Sequence, residues 1–550
     1  MKYLRRAWTS VFQDARGAIV ILVGVYFILT LPMFGSPGTI EETLMDEVRS
    51  LRWLDDLKNL GHPSDSFWGA CPLYHGIITC YLILPVFHFF GNSWMIIKLW
   101  PLAFGALTIV TMTLLTTRLF GSAIGLLAGL FLTVHPSFLM GTLAGQSPVS
   151  HMNFLSTGAL YFLIKWKQEK KIRYLYAGVL LLTGGMGTRL WFWWFVLALA
   201  GAGVLFYRDL WSAEEGKLPH KTILIGLGHA VVASLPVGYL IYQGMRKGLN
   251  DYGRIFSRVS GGFQLSAIYE KFHEFNFMMS GRHFSWYYFG RTESGPVADF
   301  TPDPVFPCLL WAAIAWWICR VYRYNELPRV RRAYFILAMF FIIYAICSVI
   351  PNSRFYSFVV YPFPQIIVAG ALVDMVEWFR RERMRIVVAA LLIGVLVGSE
   401  LRGYAQFRRQ LDTTGAMGAS TDSIYDLMDW LNQAQLKDTR MAVLLPPGIG
   451  EHIHFFHTGS IQVLNMGYSL RDWEKEKDRL IESAKKKKVI VAESVSACLN
   501  REQNQEFFKE CRKVFDFKLE HEINDRNGTP AIRLYRIVLR PDREKTTTDE

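Results

Sequence analysis

Long apolar runs constrain this chain more than any other feature. Segments 17–34, 72–90, 94–117, 121–140, 149–165, 174–188, 190–207, 221–243, 303–320, 332–350, 355–377 and 385–402 reach or approach the ~20 residues that cross a hydrocarbon core as a helix. In lipid the backbone must satisfy its own hydrogen bonds, so such runs become helices. The composition agrees: 51% of the residues are hydrophobic and 19% charged, where a soluble domain carries about 25% charge. A polytopic α-helical membrane protein is expected. The net charge of +13 needs no nucleic acid, because Lys and Arg gather on the cytoplasmic side of membrane proteins, and no nucleic-acid motif is present. The basic N-terminal stretch "MKYLRRAWTSVFQDARG" before an apolar run without a small-residue cleavage site reads as an uncleaved signal anchor.

Charge sets the topology. If every apolar segment spans, the stretches "KWKQEKKIR" (165–173), "RVYRYNELPRVRR" (320–332) and "RRERMR" (380–385) all fall outside. If 72–90 instead lies at the outer interface or re-enters, these stretches, Arg118, the 208–221 loop and the N-terminus all fall inside. Pro72, His75, Pro85 and His88 make 72–90 a poor simple span. The expected architecture is therefore about eleven transmembrane helices, with interfacial helices in the first and a middle outer loop. A membrane domain over 1–410 then carries outer loops at 35–93 and 244–302.

Past Arg402 the apolar runs cease. Residues 411–540 read as a small α/β soluble domain on the outer face. A capped helical pattern near 420–436 precedes the short β-branched runs "RMAVLLPP", "SIQVLN", "KKVIVAES" and "AIRLYRIV". Helical stretches near 470–485 and 501–513 alternate with them, which predicts a mainly parallel sheet. The tail 541–550 reads as disordered. Seven cysteines make no disulfide framework. Cys308, Cys319 and Cys347 read as packing residues, and Cys498 can pair with Cys511.

The outward polar features then share one membrane face: Asp46–Glu47 in the acid-rich 39–65 stretch, then 62–76, 141–153, 186–194, 244–302 and 351–358. His151, Arg189 and Arg354 sit at the mouths of spans, where ionisable groups are costly and suggest function. The blander alternatives are snorkelling for the arginines and a helix-end hydrogen bond for His151. Glu41, Glu42, Asp55 and Asp56 read as solvated helix faces. The 244–302 loop, rich in aromatics and cations, reads as an amphipathic surface segment or as a cover that glycines 261, 262, 281 and 290 let move.

In order and spacing these elements resemble the C-type integral-membrane glycosyltransferases, in the lipid-carrier-dependent branch of aminoarabinose transferases and protein mannosyltransferases. The resemblance rests on "MDEVRSL" in the first outer loop, then "CPLYHG", which includes Tyr74. "KLWPLAFGALTIVTMTLLTTRLFGSAIGLLAGLFLTVHPSFL" and the later "SRFYSFVVYPFPQIIVAGAL" complete it. The chain departs from the pattern at "AGQSPVSHMNF", where the usual acid is missing and Gln146 and His151 are the nearest polar substitutes. Cys71-Pro72 also replaces the usual His-Pro.

The resemblance implies a polyprenyl-phosphate (or diphosphate) sugar donor and a lipid, glycan or protein acceptor. It places the enzyme in a bacterial inner membrane, with a cytoplasmic N-terminus and an extracytoplasmic C-terminal domain. It implies Asp46 as general base, with Glu47 orienting Asp46 or the acceptor. Arg354 first and Arg189 second hold the lipid phosphate, and His151, Tyr74 and Gln146 contact substrate. No cofactor is implied, and a divalent metal bound by acidic residues is left open. Three other readings remain: a lipid or solute transporter or flippase, expected to show charged midplane helices and related halves; a non-catalytic membrane scaffold indifferent to replacement of Asp46; and a different lipid-linked glycan enzyme, a polymerase or ligase, centred on arginine and histidine in a late outer loop.

Overall fold

The structure is a computed structural model. It describes residues 15–33, 85–86, 89–90, 94–143, 147–188, 192–205, 228, 231, 235, 265–281, 304–324, 328–349, 360–379, 381–414, 423–433, 439–445, 462–465, 470–486, 488–495, 501–524, 526, 528 and 530–540. They fall into two units; one holds the helices up to Ala405, and the other holds Met33 and the residues from Gln406 onward, the last turns of the final long helix included.

The first unit is helical: α1 (Ala15–Thr30), α2 (Trp94–Phe120), α3 (Ser122–Val134), α4 (Pro136–Leu143), α5 (Ser147–Glu169), α6 (Ile172–Met186), α7 (Phe192–Leu205), α8 (Leu265–Met279), α9 (Val305–Tyr324), α10 (Pro328–Val349), α11 (Phe363–Glu377) and α12 (Glu382–Thr414). Among the described residues, Lys98–Phe120 and Glu382–Thr413 are long and apolar enough to cross a membrane unaided. The pair Ser122–Val134 and Pro136–Thr142, bent by 63°, makes a third candidate crossing. The apolar helices Arg16–Thr30, Ile172–Met186, Phe192–Leu205 and Val305–Arg320 are shorter. Most of 72–90 and 221–243, on which the expected span count depends, lies outside the described residues. Apolar side chains such as Val20, Ile28, Leu180, Ile386 and Leu391 face outward. That is the surface of an integral membrane protein, whose solvent is hydrocarbon.

Small residues let α2 and α3 approach closely. On α3, Gly125 and Gly129 form a Gly-x-x-x-Gly stripe against Thr117 and Thr113 of α2. A Cβ on Gly125 would lie 2.1 Å from Thr117 Oγ1 and 2.8 Å from the Thr117 backbone nitrogen. Without a hydrophobic driving force between helices in lipid, such close approach supplies the packing. Leu22 of α1 seats against Gly129, and the hydroxyls of Thr111 and Thr157 join α2 to α5 at 2.6 Å.

The basic stretches meet at one end of this unit. Arg118 reaches Glu169 and Gln168 at the end of α5. Arg332 donates to the Leu119 carbonyl at 2.7 Å, where the exposed carbonyls of a helix C-terminus attract a cation. Arg320 of α9 grips Asp374 of α11 through two bonds of 2.8 and 3.1 Å, and Trp316 Nε1 adds a third at 2.9 Å. Asp374 is only 6% exposed, so Arg320→Ala strands a buried carboxylate. A loss of about 3 kcal/mol is expected, read as a lower melting midpoint in detergent. An unchanged midpoint would show that the grip contributes nothing net.

The C-terminal unit holds α13 (Ser423–Gln433), β1 (Thr439–Leu445), β2 (Gln462–Asn465), α14 (Leu470–Lys486), β3 (Lys488–Ser494), α15 (Arg501–Cys511), β4 (Phe515–Asn524) and β5 (Pro530–Leu539). Its five-stranded sheet runs β2-β1-β3-β5-β4. The sheet is mixed, not mainly parallel: β1 pairs in parallel with β2 and β3, while β5 pairs antiparallel with β3 and β4. The cause is β4, which the sequence reading omits. A tight connection containing Gly528 at φ +82° joins β4 to β5 and forces an antiparallel hairpin. β4 lies at the sheet edge and its middle is exposed, so it carries Lys518, Glu520 and Glu522 in place of an apolar alternation.

Trp473 and Leu480 of α14 and Phe507 and Cys511 of α15 pack on Val489, Val491, Phe515 and Ile537. Cys511 is a free thiol inside that core, and burial pushes its pKa up to about 12; Cys498 lies outside the described residues. Cys308 and Cys319, expected to pack, are exposed instead. An apolar run in lipid has an outward face that composition cannot distinguish from its inner one.

Glu493 on β3 accepts a hydrogen bond from Tyr535 at 3.1 Å. Burial raises its pKa against the opposing pull of Tyr535 and Arg533. A raised carboxyl pKa means that the folded state holds its proton more tightly than the unfolded chain. Its contribution is therefore complete below the ordinary value of 4.5 and is lost as pH rises through the raised one. Glu493→Gln should protect 488–494 from hydrogen exchange better than wild type near neutral pH and flatten that acid-side dependence. Equal protection, after correction for intrinsic exchange, would contradict this.

Candidate functional site at the proline break

Pro136 cannot donate to the helix ladder, and its ring crowds the preceding turn. The span therefore ends at Val134 and restarts with Pro136 at the first position of α4, bent by 63°. His135, between the two halves, is fully buried. Its ring stands edge-on to Phe306 at 4.8 Å and Tyr361 at 5.5 Å. Neither ring nitrogen makes a well-formed hydrogen bond among the described residues, and the Met279 main chain is the polar group that approaches it.

The break also anchors α8, which lies within 244–302. Ser137 donates its hydroxyl to the Met278 carbonyl. Phe275 packs on Trp311, Phe340 and Tyr344, and Trp311 Nε1 donates to Asn276 Oδ1 at 2.7 Å. Residues 265–279 thus dock one face into the bundle. Gly281 has φ +74°, and a Cβ there would lie 2.8 Å from Pro136 Cβ. It forms a seated turn against the break; positions 261, 262 and 290 lie outside the described residues.

Around this break the described residues gather more polar groups. Ser137 also sits beside the Tyr361 phenol, on which the Glu400 carboxylate acts electrostatically. Glu400 is 6% exposed within the apolar helix α12. Gln365, one turn into α11, is fully buried and neither amide atom has a hydrogen-bond partner among the described residues. Tyr26 of α1 lies against Phe138 and beside Thr142 of α4. Buried polar atoms without partners are uncommon and cost about 1–3 kcal/mol each. Thr116 and Thr117 share this state near the basic end, but titratable His135 and the donor-rich Gln365 belong to the opposite end. There they can donate to an oxygen-rich group in a low-dielectric setting.

Of the expected site residues, His151 is described. It lies in α5, fully buried, its ring 3.7 Å from that of Phe104 and 5.8 Å from that of Trp100. Both ring contacts are tilted, at 37° and 48°, so the imidazole packs obliquely between the two aromatic side chains. Asp46, Glu47, Tyr74, Gln146, Arg189 and Arg354 lie outside the described residues. The helix ends that flank them do not: the ends of α1, α4, α6 and α10 and the starts of α2, α5, α7 and α11 all open away from the basic end. No three metal-competent side chains come together among the described residues.

The sequence reading missed His135, Tyr361, Gln365 and Glu400, although signals existed. His-Pro interrupts the apolar run 121–140, Glu400 is the one carboxylate in 385–402, and Tyr and Gln punctuate 355–377.

No protein-family model matches the sequence, and no curated protein matches it significantly. Solved structures match its fold. ArnT from Cupriavidus metallidurans in the apo state superposes with a TM-score of 0.57 at 12% identity, over 97% of this chain and 98% of that one. The same protein bound to undecaprenyl phosphate gives 0.54 at 12% identity, over 96% and 98%. The archaeal oligosaccharyltransferase AglB from Archaeoglobus fulgidus, in complex with an inhibitory peptide and a dolichol-phosphate, gives 0.52 at 13% identity, over 96% of this chain and 74% of that one.

Proposed function

We propose that this chain, which has the fold of the C-type integral-membrane glycosyltransferases, transfers a sugar from a polyprenyl-phosphate or polyprenyl-diphosphate carrier to an acceptor at the extracytoplasmic membrane face. The observation that carries the proposal is the fold match over nearly the whole length of both chains, with a neighbour that holds undecaprenyl phosphate. The gathering of basic helix ends at one pole supports the orientation, since that pole is the cytoplasmic one by the positive-inside rule. The candidate loops then begin and end at the outer pole.

The chemistry follows from the donor. The acceptor oxygen or nitrogen attacks the anomeric carbon as the bond from that carbon to the phosphate oxygen breaks. The acceptor proton goes to Asp46 as general base, with Glu47 orienting Asp46 or the acceptor. The leaving lipid phosphate gains charge that Arg354, and secondarily Arg189, balance through their planar guanidinium groups. Tyr74, Gln146 and His151 complete the substrate contacts. A single base implies inversion at the anomeric carbon. The buried groups at the break, His135, Tyr361, Gln365 and Glu400, support that pole from beneath.

The test is transfer by the full chain reconstituted into vesicles, with a panel of radiolabelled polyprenyl-phosphate sugars. Transfer from at least one donor supports the reading. Lipid translocation without transfer would replace it with a transporter.

A further inference from the structure

We propose that the ends of α2, α5 and α6 form a site for the headgroup of an anionic phospholipid, in the leaflet away from the proposed transfer site. The proposal does not rest on the transfer reading. Its first support is charge that the fold concentrates. Arg118, Lys165, Lys167, Lys170, Lys171 and Arg173 gather at the α5–α6 hairpin, where the 165–173 stretch contains one carboxylate, Glu169. That carboxylate is already engaged, by Arg118 at 2.9 Å and Lys171 at 3.3 Å. Positive charge is left in excess around it.

The second support is that aromatic rings hold these long cations in place. Lys165 Nζ lies 4.3 Å from the Tyr174 ring centroid and 5.6 Å from that of Tyr161. The guanidinium carbon of Arg118 lies 5.6 Å from Tyr161, and that of Arg173 lies 5.0 Å from Tyr174. Arg173 also donates to the Tyr174 hydroxyl at 3.1 Å. Arg118 spends its second nitrogen on Gln168 at 2.7 Å. Cations fixed over rings lose less freedom on meeting an anion than solvated lysines do.

The third support distinguishes a lipid from a free phosphate. Ile172, Tyr176 and Leu180 are exposed at successive turns of α6, so an apolar stripe runs from the cluster along the helix. A ligand with an anionic head and acyl chains meets both surfaces, whereas an inorganic anion meets one. Basic pockets between helices on the cytoplasmic side recognise anionic headgroups in this manner.

The test is native mass spectrometry of the detergent-solubilised full chain, titrated with cardiolipin or with phosphatidylcholine. Wild type should retain cardiolipin saturably, with a preference of about tenfold or more. Lys165→Gln combined with Arg173→Gln should reduce that preference to about twofold or less, while Lys485→Gln combined with Lys486→Gln, which removes equal charge elsewhere, leaves it unchanged. Ile172→Glu, at an exposed position that folding tolerates, should weaken retention by repulsion. Equal retention of both lipids, unsaturable binding, or an equal loss in the Lys485/Lys486 variant would overturn the site in favour of a diffuse surface charge. Displacement of cardiolipin by millimolar inorganic phosphate would overturn the lipid assignment.

Discussion

Asp46→Asn is expected to lower sugar transfer by more than about a hundredfold in a variant that still folds, the scale of losing a positioned general base. In barrier terms that is about 2.7 kcal/mol. Asn keeps the volume and one acceptor oxygen of Asp, so donor affinity should change little and the loss should fall on turnover. Wild type and variant are compared in the same vesicles with whichever donor wild type uses. Equal turnover would remove Asp46 as base and move the role to Glu47 or His151. If wild type transfers from no donor, the transporter and scaffold readings take precedence, and a lipid-translocation assay separates those two.

Gly125→Leu should lower stability strongly. A Cβ at Gly125 meets not only Thr117 Oγ1 at 2.1 Å but also the Thr117 nitrogen at 2.8 Å and the Thr113 carbonyl at 2.9 Å. Backbone cannot swing aside as a side-chain end can. The helices must separate, and the hydrocarbon around them offers no compensating drive to reassociate. A cost at or beyond the top of the usual overpacking range, about 3 kcal/mol, is expected. Gly24→Leu is the control, because nothing lies within 4 Å of a Cβ there. Melting midpoints in detergent decide it: a large drop for Gly125→Leu and a small one for Gly24→Leu. Similar behaviour of the two variants would mean that α2 and α3 do not depend on the glycine stripe.

Much of the fold was legible because hydrocarbon imposes its own grammar. The apolar runs near 94–117, 174–188 and 385–402 became α2, α6 and α12. The strands "SIQVLN" and "KKVIVAES" became β2 and β3 because β-branched runs between turns have few other uses. β4 was illegible for the opposite reason: an edge strand needs charge to resist pairing with other chains, and that charge hides its alternation. The run 121–140 looked continuous, yet Pro136 breaks it, and the weight given to apolar content obscured a proline signal that was present.

For the candidate site, local reading singled out polar residues at the expected mouths of spans; His151 is buried in α5, and the others lie outside the described residues. The same reading passed over His135, Tyr361, Gln365 and Glu400 because each is a single polar residue in an apolar run. Such a residue acquires meaning only when several helices bring their polar groups to one level. The sequence by itself determined that the chain is a membrane protein and that an α/β unit follows its apolar helices, since these depend on composition and period along the chain. Only the tertiary structure decided that the span breaks around His135, that α8 docks against that break, that Cys511 is buried as a free thiol, and that the sheet is mixed. Each of these depends on which distant segments share a contact, and helix–helix packing in lipid is selected by shape and small residues more than by hydropathy.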